Sequence, residues 1–208
     1  MPKKQSMLNI LAAFILLAVT LPAAAAKTEG LPTSYSEFKA RCQTACQSPE
    51  GAIKMYFDAV FCYLDPARRA EATKMLRYIL HAGPNWERSP NHNIFSERLR
   101  DPSQHYIFRS FAAGSSSDNN YQMSTDNYRL LIANTRQEAD DFVALSLVSS
   151  GADSPRRVTL KRYEDGQWYI FSNAGTYAQV RKPRQVAPST SHDADYDHLP
   201  AAEALPAQ

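Results

Sequence analysis

Apolar and polar positions between residues 48 and 64 predict the best-defined helix of the chain. Ser48-Pro49-Glu50 opens it, because serine is a favourable N-cap, proline suits the first helical position and glutamate complements the positive end of the helix dipole. The residues that follow are apolar around nearly the whole circumference, and only Lys54 and Asp58 mark a polar stripe. A helix of this kind is buried on several sides.

A second helix is predicted immediately afterwards. Asp65-Pro66 repeats the cap-then-proline arrangement, and apolar residues then recur at three- and four-residue spacing up to Leu80. Gly83-Pro84 is predicted to end this helix, with the glycine in the left-handed cap conformation. Shorter helical pieces are predicted over residues 35–46 and 94–99.

From residue 106 the pattern becomes that of strands. Segments 128–133 and 142–148 are predicted strands, because their apolar residues alternate or run continuously at strand length, and segment 106–111 could be a further strand. Two more strands flank Asp165-Gly166, which favours a type I′ hairpin turn with positive φ at both positions. A hairpin alone is not stable in water, so the helices must cover it. The sequence predicts an α+β fold, in which two to three N-terminal helices pack on a curved, mostly antiparallel sheet of about four strands.

Both ends of the chain differ from this domain. Residues 1–26 have the basic start, the apolar run and the small residues of a signal peptide, which predicts export to the periplasm or secretion; a retained segment is the alternative. The run is too short to span a bilayer, and no membrane span is expected after cleavage. Residues 27–47 are interpreted as an N-terminal extension, 48–183 as a single α+β domain, and 184–208 as a disordered tail.

Charge excludes one class of partner. The chain has 23 basic and 21 acidic residues, and cleavage of the signal peptide removes Lys3 and Lys4, which leaves 21 of each. A nucleic-acid-binding protein normally carries a basic excess on one face. Nucleic acid is therefore not expected as a partner.

Three cysteines would enter an oxidising compartment after export, which favours one disulfide and one free thiol. Cys42 and Cys46 are the favoured pair, because residues four apart on a helix have Cα atoms about 6 Å apart, within disulfide range. A bridge to Cys62 would require the leading segment to fold back, and it remains the alternative. Three residues separate Cys42 from Cys46, instead of the two of a thioredoxin-like redox motif.

Three segments follow one another in an order that is familiar from a bacterial family. They are Ser48-Pro49-Glu50-Gly51-Ala52; Arg109-Ser110-Phe111 with Gly114 and Asn119-Asn120-Tyr121; and Gly151-Ala152-Asp153-Ser154-Pro155-Arg156, before a hairpin with Trp168. Together they resemble the uncharacterised domain of unknown function 6935, over about residues 48–183. Arg157 stands where the family usually has proline, and members often lack an export signal. The resemblance implies a fold and no activity. The element order is also similar to the cone-shaped domains of the nuclear transport factor type, an analogy of fold alone.

The candidate ligand-binding residues are polar or aromatic side chains beside the predicted strands and turns. The guanidinium groups of Arg156 and Arg157 next to Asp153 could clamp an anionic ligand. The residue types favour a structural alternative, in which Asp153 and Ser154 bond their own backbone in a turn and an arginine pairs with Asp153. The residues predicted to line a ligand site are Arg109, Asn120, Tyr121, Asp153, Arg156 and Trp168.

No motif assembles a catalytic set. Ser154 lacks the G-x-S-x-G context and a base placed beside it, and the histidines have no metal-ligand spacing. The acidic series Asp193, Asp195 and Asp197 lacks the glycine and the glutamate that close a calcium loop. The sequence predicts no metal site and no cofactor.

These observations favour an exported bacterial protein with a non-catalytic domain that binds a small ligand or an envelope protein. One alternative is an enzyme with its active site inside the helix–sheet cone and a desolvated Asp58 as the base, although the polar stripe predicts that Asp58 is solvated. Another is a structural envelope or secretion accessory protein, which would present an exposed apolar patch and no enclosed pocket.

Overall fold

The computed structural model of the protein describes residues 30–184; the predicted signal peptide and residues 185–208 of the predicted tail lie outside the described residues. This part of the chain folds into helices followed by strands. The helices are α1 (Tyr35–Ala45), α2 (Pro49–Leu64), α3 (Arg69–Ile79), α4 (Pro90–Arg100) and α5 (Tyr106–Arg109), and the strands are β1 (Ile132–Ala139), β2 (Phe142–Leu147), β3 (Arg156–Arg162) and β4 (Trp168–Ser172).

The helix starts use the predicted caps. Ser48 Oγ accepts the N–H of Gly51 at 3.0 Å. Asp65 Oδ1 accepts the N–H of Ala67 at 2.9 Å, in a short 3-10 turn that leads into α3. Helix α4 begins at Pro90, before the predicted start at residue 94, because Ser89 and Pro90 supply a further cap-then-proline signal.

The end of α3 differs from the prediction. His81 adopts the left-handed conformation, with φ of 44°, whereas Gly83 does not. The N–H groups of His81 and Ala82 make the two backbone hydrogen bonds of a Schellman motif, which satisfies carbonyls of the last turn. The His81 ring stacks on Tyr163 with centroids 3.9 Å apart, and this contact offsets the strain of a left-handed side-chain-bearing residue.

Residues 106–111 are not a strand. They contain α5, and Ser110 closes its last turn, with Oγ donating to the Ile107 carbonyl at 2.7 Å. The same Oγ lies 2.7 Å from Ser149 Oγ, which joins this helical turn to the segment before β3. A short apolar run fits a buried helical turn as well as a strand, and these contacts decide for the helix.

The four strands form one antiparallel sheet in the order β1-β2-β3-β4, so the predicted α+β class is confirmed. Strands β2 and β3 pair from Phe142 opposite Lys161 to Leu147 opposite Arg156. Strand β1 lies later in the chain than the predicted 128–133. Seven of its eight residues are exposed, and a polar edge strand carries no apolar alternation that would predict it.

The predicted hairpin between β3 and β4 is confirmed, but its turn type is wrong. Only Gly166 has a positive φ, of 77°, whereas a type I′ turn also requires one at Asp165. The N–H of Gly166 donates to the Tyr163 carbonyl at 2.9 Å, which makes Glu164 and Asp165 the central residues of the turn. Gly166 is the residue with left-handed conformation that completes a hairpin loop longer than the two-residue loop of a type I′ turn.

A single core joins the helices to the sheet, with α2 in contact with α1, α3, α4 and β4. Helix α1 contributes to it through Phe38 and Cys42, which have no exposed surface. The N–H of Trp168 donates to the Cys46 carbonyl at 2.7 Å, which fastens β4 to the end of α1. Within residues 30–184, no helix is both long enough and apolar enough to cross a membrane.

The predicted disulfide between Cys42 and Cys46 is not formed, and all three cysteines are buried free thiols. The two sulfurs are hydrogen-bond partners, and this bond, together with burial, raises the pKa of Cys42. The four-residue spacing on α1 brings the two thiols together as expected, but they are in hydrogen-bond contact and not covalently joined. Burial raises the pKa of Cys62 to about 11.

Candidate ligand-binding pocket

An open pocket of about 540 Å³ lies where the end of α2 meets α5 and the loop before β1. We name it the α2–α5 pocket. Helix α2 supplies the apolar side of this pocket. Helix α5 supplies a cation, and the loop supplies a mostly polar wall. The lining residues are Phe61, Leu64, Asp65, Arg109, Gln122, Met123 and Thr125. The volume is that of common small-molecule sites.

Arg109 is the cation of this pocket. It is the last residue of α5, its side chain is half-buried, and its guanidinium group makes no hydrogen bond or ion pair with residues 30–184. Its backbone carbonyl accepts the N–H of Ala112 at 3.0 Å and the hydroxyl of Ser115 at 2.8 Å, which fixes the chain from which the side chain extends. A partly desolvated guanidinium without a partner suits a carboxylate or a phosphate.

Two residues with left-handed backbone conformation precede the loop residues that line the pocket. Asn120 and Tyr121 have φ of 55° and 52°, a conformation that is uncommon for tyrosine. Tyr121 is fully buried; its N–H donates to the Ser116 carbonyl at 2.8 Å and its hydroxyl to the Arg181 carbonyl at 2.7 Å. These contacts hold the turn in place. The two residues that follow the turn, Gln122 and Met123, line the α2–α5 pocket.

Asp58 is buried, which corrects the predicted solvated stripe on α2. Its Oδ1 accepts a hydrogen bond from Lys54 Nζ at 2.6 Å and from Tyr128 Oη at 2.7 Å. Burial raises the pKa of Asp58, against the effect of both partners, which favour the carboxylate. The Tyr128 ring meets Phe61 edge-on at 4.8 Å, so this cluster lies one side chain away from the α2–α5 pocket.

One family model matches the chain. It is the model of a domain of unknown function, DUF6935, and it covers residues 30–184. This chain belongs to the DUF6935 family. The match to DUF6935 begins before α1, within the segment interpreted from sequence as an extension. A search of curated proteins and a search of solved structures gave no match, so the similarity to domains of the nuclear transport factor type is not confirmed.

The last of the three segments that resemble DUF6935 holds residues 178–184 against the sheet. The N–H of Arg181 donates to the Gly151 carbonyl at 2.7 Å, and Arg156 Nη2 donates to the Gln179 carbonyl at 2.7 Å. The guanidinium of Arg181 also pairs with Asp153. Asp153 and Arg156, both predicted ligand residues, are therefore already engaged by the protein itself.

Two glycines of the DUF6935 segments mark close approaches between elements. A Cβ atom on Gly51 would overlap the Ala45 carbonyl at the end of α1. A Cβ atom on Gly151 would overlap Tyr121 Oη and would lie 2.9 Å from Val180 Cβ. Both positions require glycine for space, which is a structural and not a chemical role.

The six predicted ligand residues do not converge on one site. Arg109 lines the α2–α5 pocket, Asn120 and Tyr121 precede its wall, and Trp168 lies in the core with 8% of its surface exposed. The other lining residues come from separate segments, and none belongs to a binding motif, so the sequence did not indicate them together as a site. They are Phe61, Leu64, Asp65, Gln122, Met123 and Thr125.

The described part of the chain offers no metal centre. Residues 30–184 contain no group of three or more His, Cys, Asp or Glu side chains placed to hold an ion. The acidic series from Asp193 lies outside the described residues. Ser154 is exposed and has no hydrogen bond to a base within residues 30–184.

Proposed function

We propose that this protein is an exported, non-catalytic domain that binds a small organic anion in the α2–α5 pocket. The observation that carries the proposal is Arg109, a half-buried cation with no partner among residues 30–184. Arginine in such a setting favours carboxylate or phosphate groups, which it can bind through two parallel hydrogen bonds. Phe61 and Met123 on the same pocket favour an organic part beside the anion.

The lining residues favour binding over catalysis. None of the seven is a serine, cysteine or histidine, and no hydrogen bond within residues 30–184 joins Thr125 to Asp65, whereas a nucleophile bonded to an adjacent base is the usual signature of covalent catalysis. Asp58, the candidate base of the enzyme alternative, is buried, but Lys54 and Tyr128 already occupy its carboxylate. Asp58 is also not among the residues that line the α2–α5 pocket.

Export is proposed from the composition of residues 1–26. It predicts that the protein recovered from its bacterial host begins at Lys27. Measurement of the intact mass shows at which residue the protein begins. A protein that retains Met1 and fractionates with the cytosol would contradict the export part of the proposal.

Binding is tested by native mass spectrometry of the protein purified from its own host without added ligand. We expect an adduct on the wild type that is lost in Arg109→Gln. Because the guanidinium of Arg109 has no hydrogen-bond partner within residues 30–184, its removal leaves none of these residues unpaired, and the variant is expected to fold. Arg88→Gln is the matched control, since Arg88 is an exposed arginine outside the pocket, and this variant should keep the adduct.

An adduct that survives in Arg109→Gln would place the ligand elsewhere and overturn the pocket assignment. A protein that carries no small molecule, but is isolated with a second polypeptide, would favour the accessory function.

A further inference from the structure

We propose that the ligand of the α2–α5 pocket is a zwitterion, an α-amino acid with an apolar side chain. This inference rests on the proposed function and names its ligand class. In the arrangement, Arg109 binds the carboxylate and Asp65 binds the ammonium group, while the side chain contacts the apolar side of the pocket.

The pocket holds one cation and one anion that do not neutralise each other. Arg109 and Asp65 both line it, yet no ion pair joins them. Opposite charges that lie close to one another normally pair directly, unless the fold holds them apart. A ligand that carries both charges can bridge such a gap, whereas a simple anion leaves Asp65 facing it unpaired.

The carboxylate of Asp65 is held in place by its own backbone context. Its Oδ1 accepts the N–H of Ala67 at 2.9 Å at the start of the 3-10 turn, and its Oδ2 has no partner within residues 30–184. One oxygen therefore orients the group, and the other is available to a donor. A primary ammonium group carries three such donors.

Apolar side chains line the same pocket as the two charges. Phe61 and Leu64 come from the last turns of α2, one turn or less before Asp65, and Met123 comes from the facing loop. Methionine adapts its shape to irregular apolar ligands. Gln122 and Thr125 add neutral hydrogen-bonding groups, which suit the polar end of an amino acid.

The test compares three probes of similar shape by titration calorimetry with the full mature protein. L-leucine carries both charges, 4-methylpentanoate lacks the ammonium group, and 3-methylbutylamine lacks the carboxylate. We expect leucine to bind about tenfold more tightly than either analogue, the factor that corresponds to one charge-assisted hydrogen bond. Asp65→Asn should lower leucine affinity to that of 4-methylpentanoate and leave 4-methylpentanoate itself unchanged.

Asp65→Asn keeps an N-cap side chain, so the 3-10 turn and α3 should remain folded, which circular dichroism verifies. Arg88→Gln again serves as the matched control and should bind leucine as the wild type does. Equal binding of leucine and 4-methylpentanoate, both lost in Arg109→Gln, would refute the zwitterion and leave the anion site intact. Failure of all three probes would also refute it, and the adduct found on the protein from its host would then decide the proposed function separately.

Discussion

Replacing Lys54 with methionine isolates the electrostatics of the buried cluster behind the pocket. Lys54 Nζ lies 2.6 Å from Asp58 Oδ1 and 4.2 Å from the centroid of the Tyr128 ring. Methionine keeps most of the aliphatic stem over that ring and removes only the charge. The Asp58 side chain is 5% exposed, so its carboxylate would remain buried, with Tyr128 as its one remaining hydrogen-bond donor within residues 30–184.

The expected loss follows from the geometry of the pair. Removing one partner of a fully buried ion pair costs about 3–5 kcal/mol. The side chain of Lys54 is 37% exposed and Tyr128 still donates to Asp58, so we expect Lys54→Met to lower the free energy of unfolding by about 2–3 kcal/mol at pH 7.5.

The loss of unfolding free energy caused by Lys54→Met should become smaller as the pH falls. Burial raises the pKa of Asp58, so the folded state binds a proton more tightly than the unfolded state. Such a group stabilises the fold fully below its unfolded pKa, near 3.9, and loses this contribution as the pH rises through the folded pKa. Without Lys54 the folded pKa rises further, and the variant therefore recovers stability towards pH 5.

Urea unfolding at pH 7.5 and pH 5.0, followed by fluorescence of Trp86 and Trp168, measures both effects. Lys74→Met is the matched control, because Lys74 pairs with Glu71 on the surface, where both side chains are more than a third exposed. It should change the free energy of unfolding by less than about 0.5 kcal/mol at either pH. A Lys54→Met loss that is equal at both pH values, or larger at pH 5.0, would refute the raised pKa.

Three further predictions concern packing, strain and thiol reactivity. Gly151→Ala should lower the free energy of unfolding by about 1–3 kcal/mol, because the new Cβ overlaps Tyr121 Oη, and Tyr121→Phe in the same chain should recover part of this loss in urea unfolding. His81→Gly should be more stable than His81→Ala by about 1 kcal/mol in the same assay, since both lose the stacking on Tyr163 but only alanine keeps the left-handed strain. Cys62 should react with iodoacetamide at pH 8 more than about a hundredfold more slowly in the folded protein than in urea, because burial holds its pKa near 11; equal rates would contradict its burial.

The sequence predicted the elements that carry strong local signals. Ser48-Pro49 begins α2 and Asp65-Pro66 begins the 3-10 turn that leads into α3, because a cap and a proline act through the backbone of a single turn. The central strands β2 and β3 were predicted from their apolar residues, which pack on the helices. Local signals failed where tertiary contacts decided, as in α5, whose short apolar run fitted two structures equally well.

The candidate site could not be predicted in the same way. Its residues come from α2, α5 and the loop before β1, and only the fold brings Asp65, Arg109 and Met123 to one cavity. Arg109 was predicted because it is an arginine, which suits an anion, in a segment that could be a strand. Asp58 was misjudged for a related reason. Lys54 and Asp58 look solvated on a helical projection, and the residue that covers them, Tyr128, is 70 positions away.

The three segments that resemble the DUF6935 family lie mainly at junctions between elements of this chain. Gly51 lets α2 approach the end of α1, and Gly151 makes room for Tyr121 against residues 178–184. Only Arg109 belongs both to such a segment and to the α2–α5 pocket, whereas Asp65 and Met123 lie outside all three. In this chain the three segments therefore determine how the helices, the loop and the sheet meet, and they contribute one cation to the pocket. In the proposed function, the other lining residues of this chain would determine which anion, and which accompanying group, the pocket accepts.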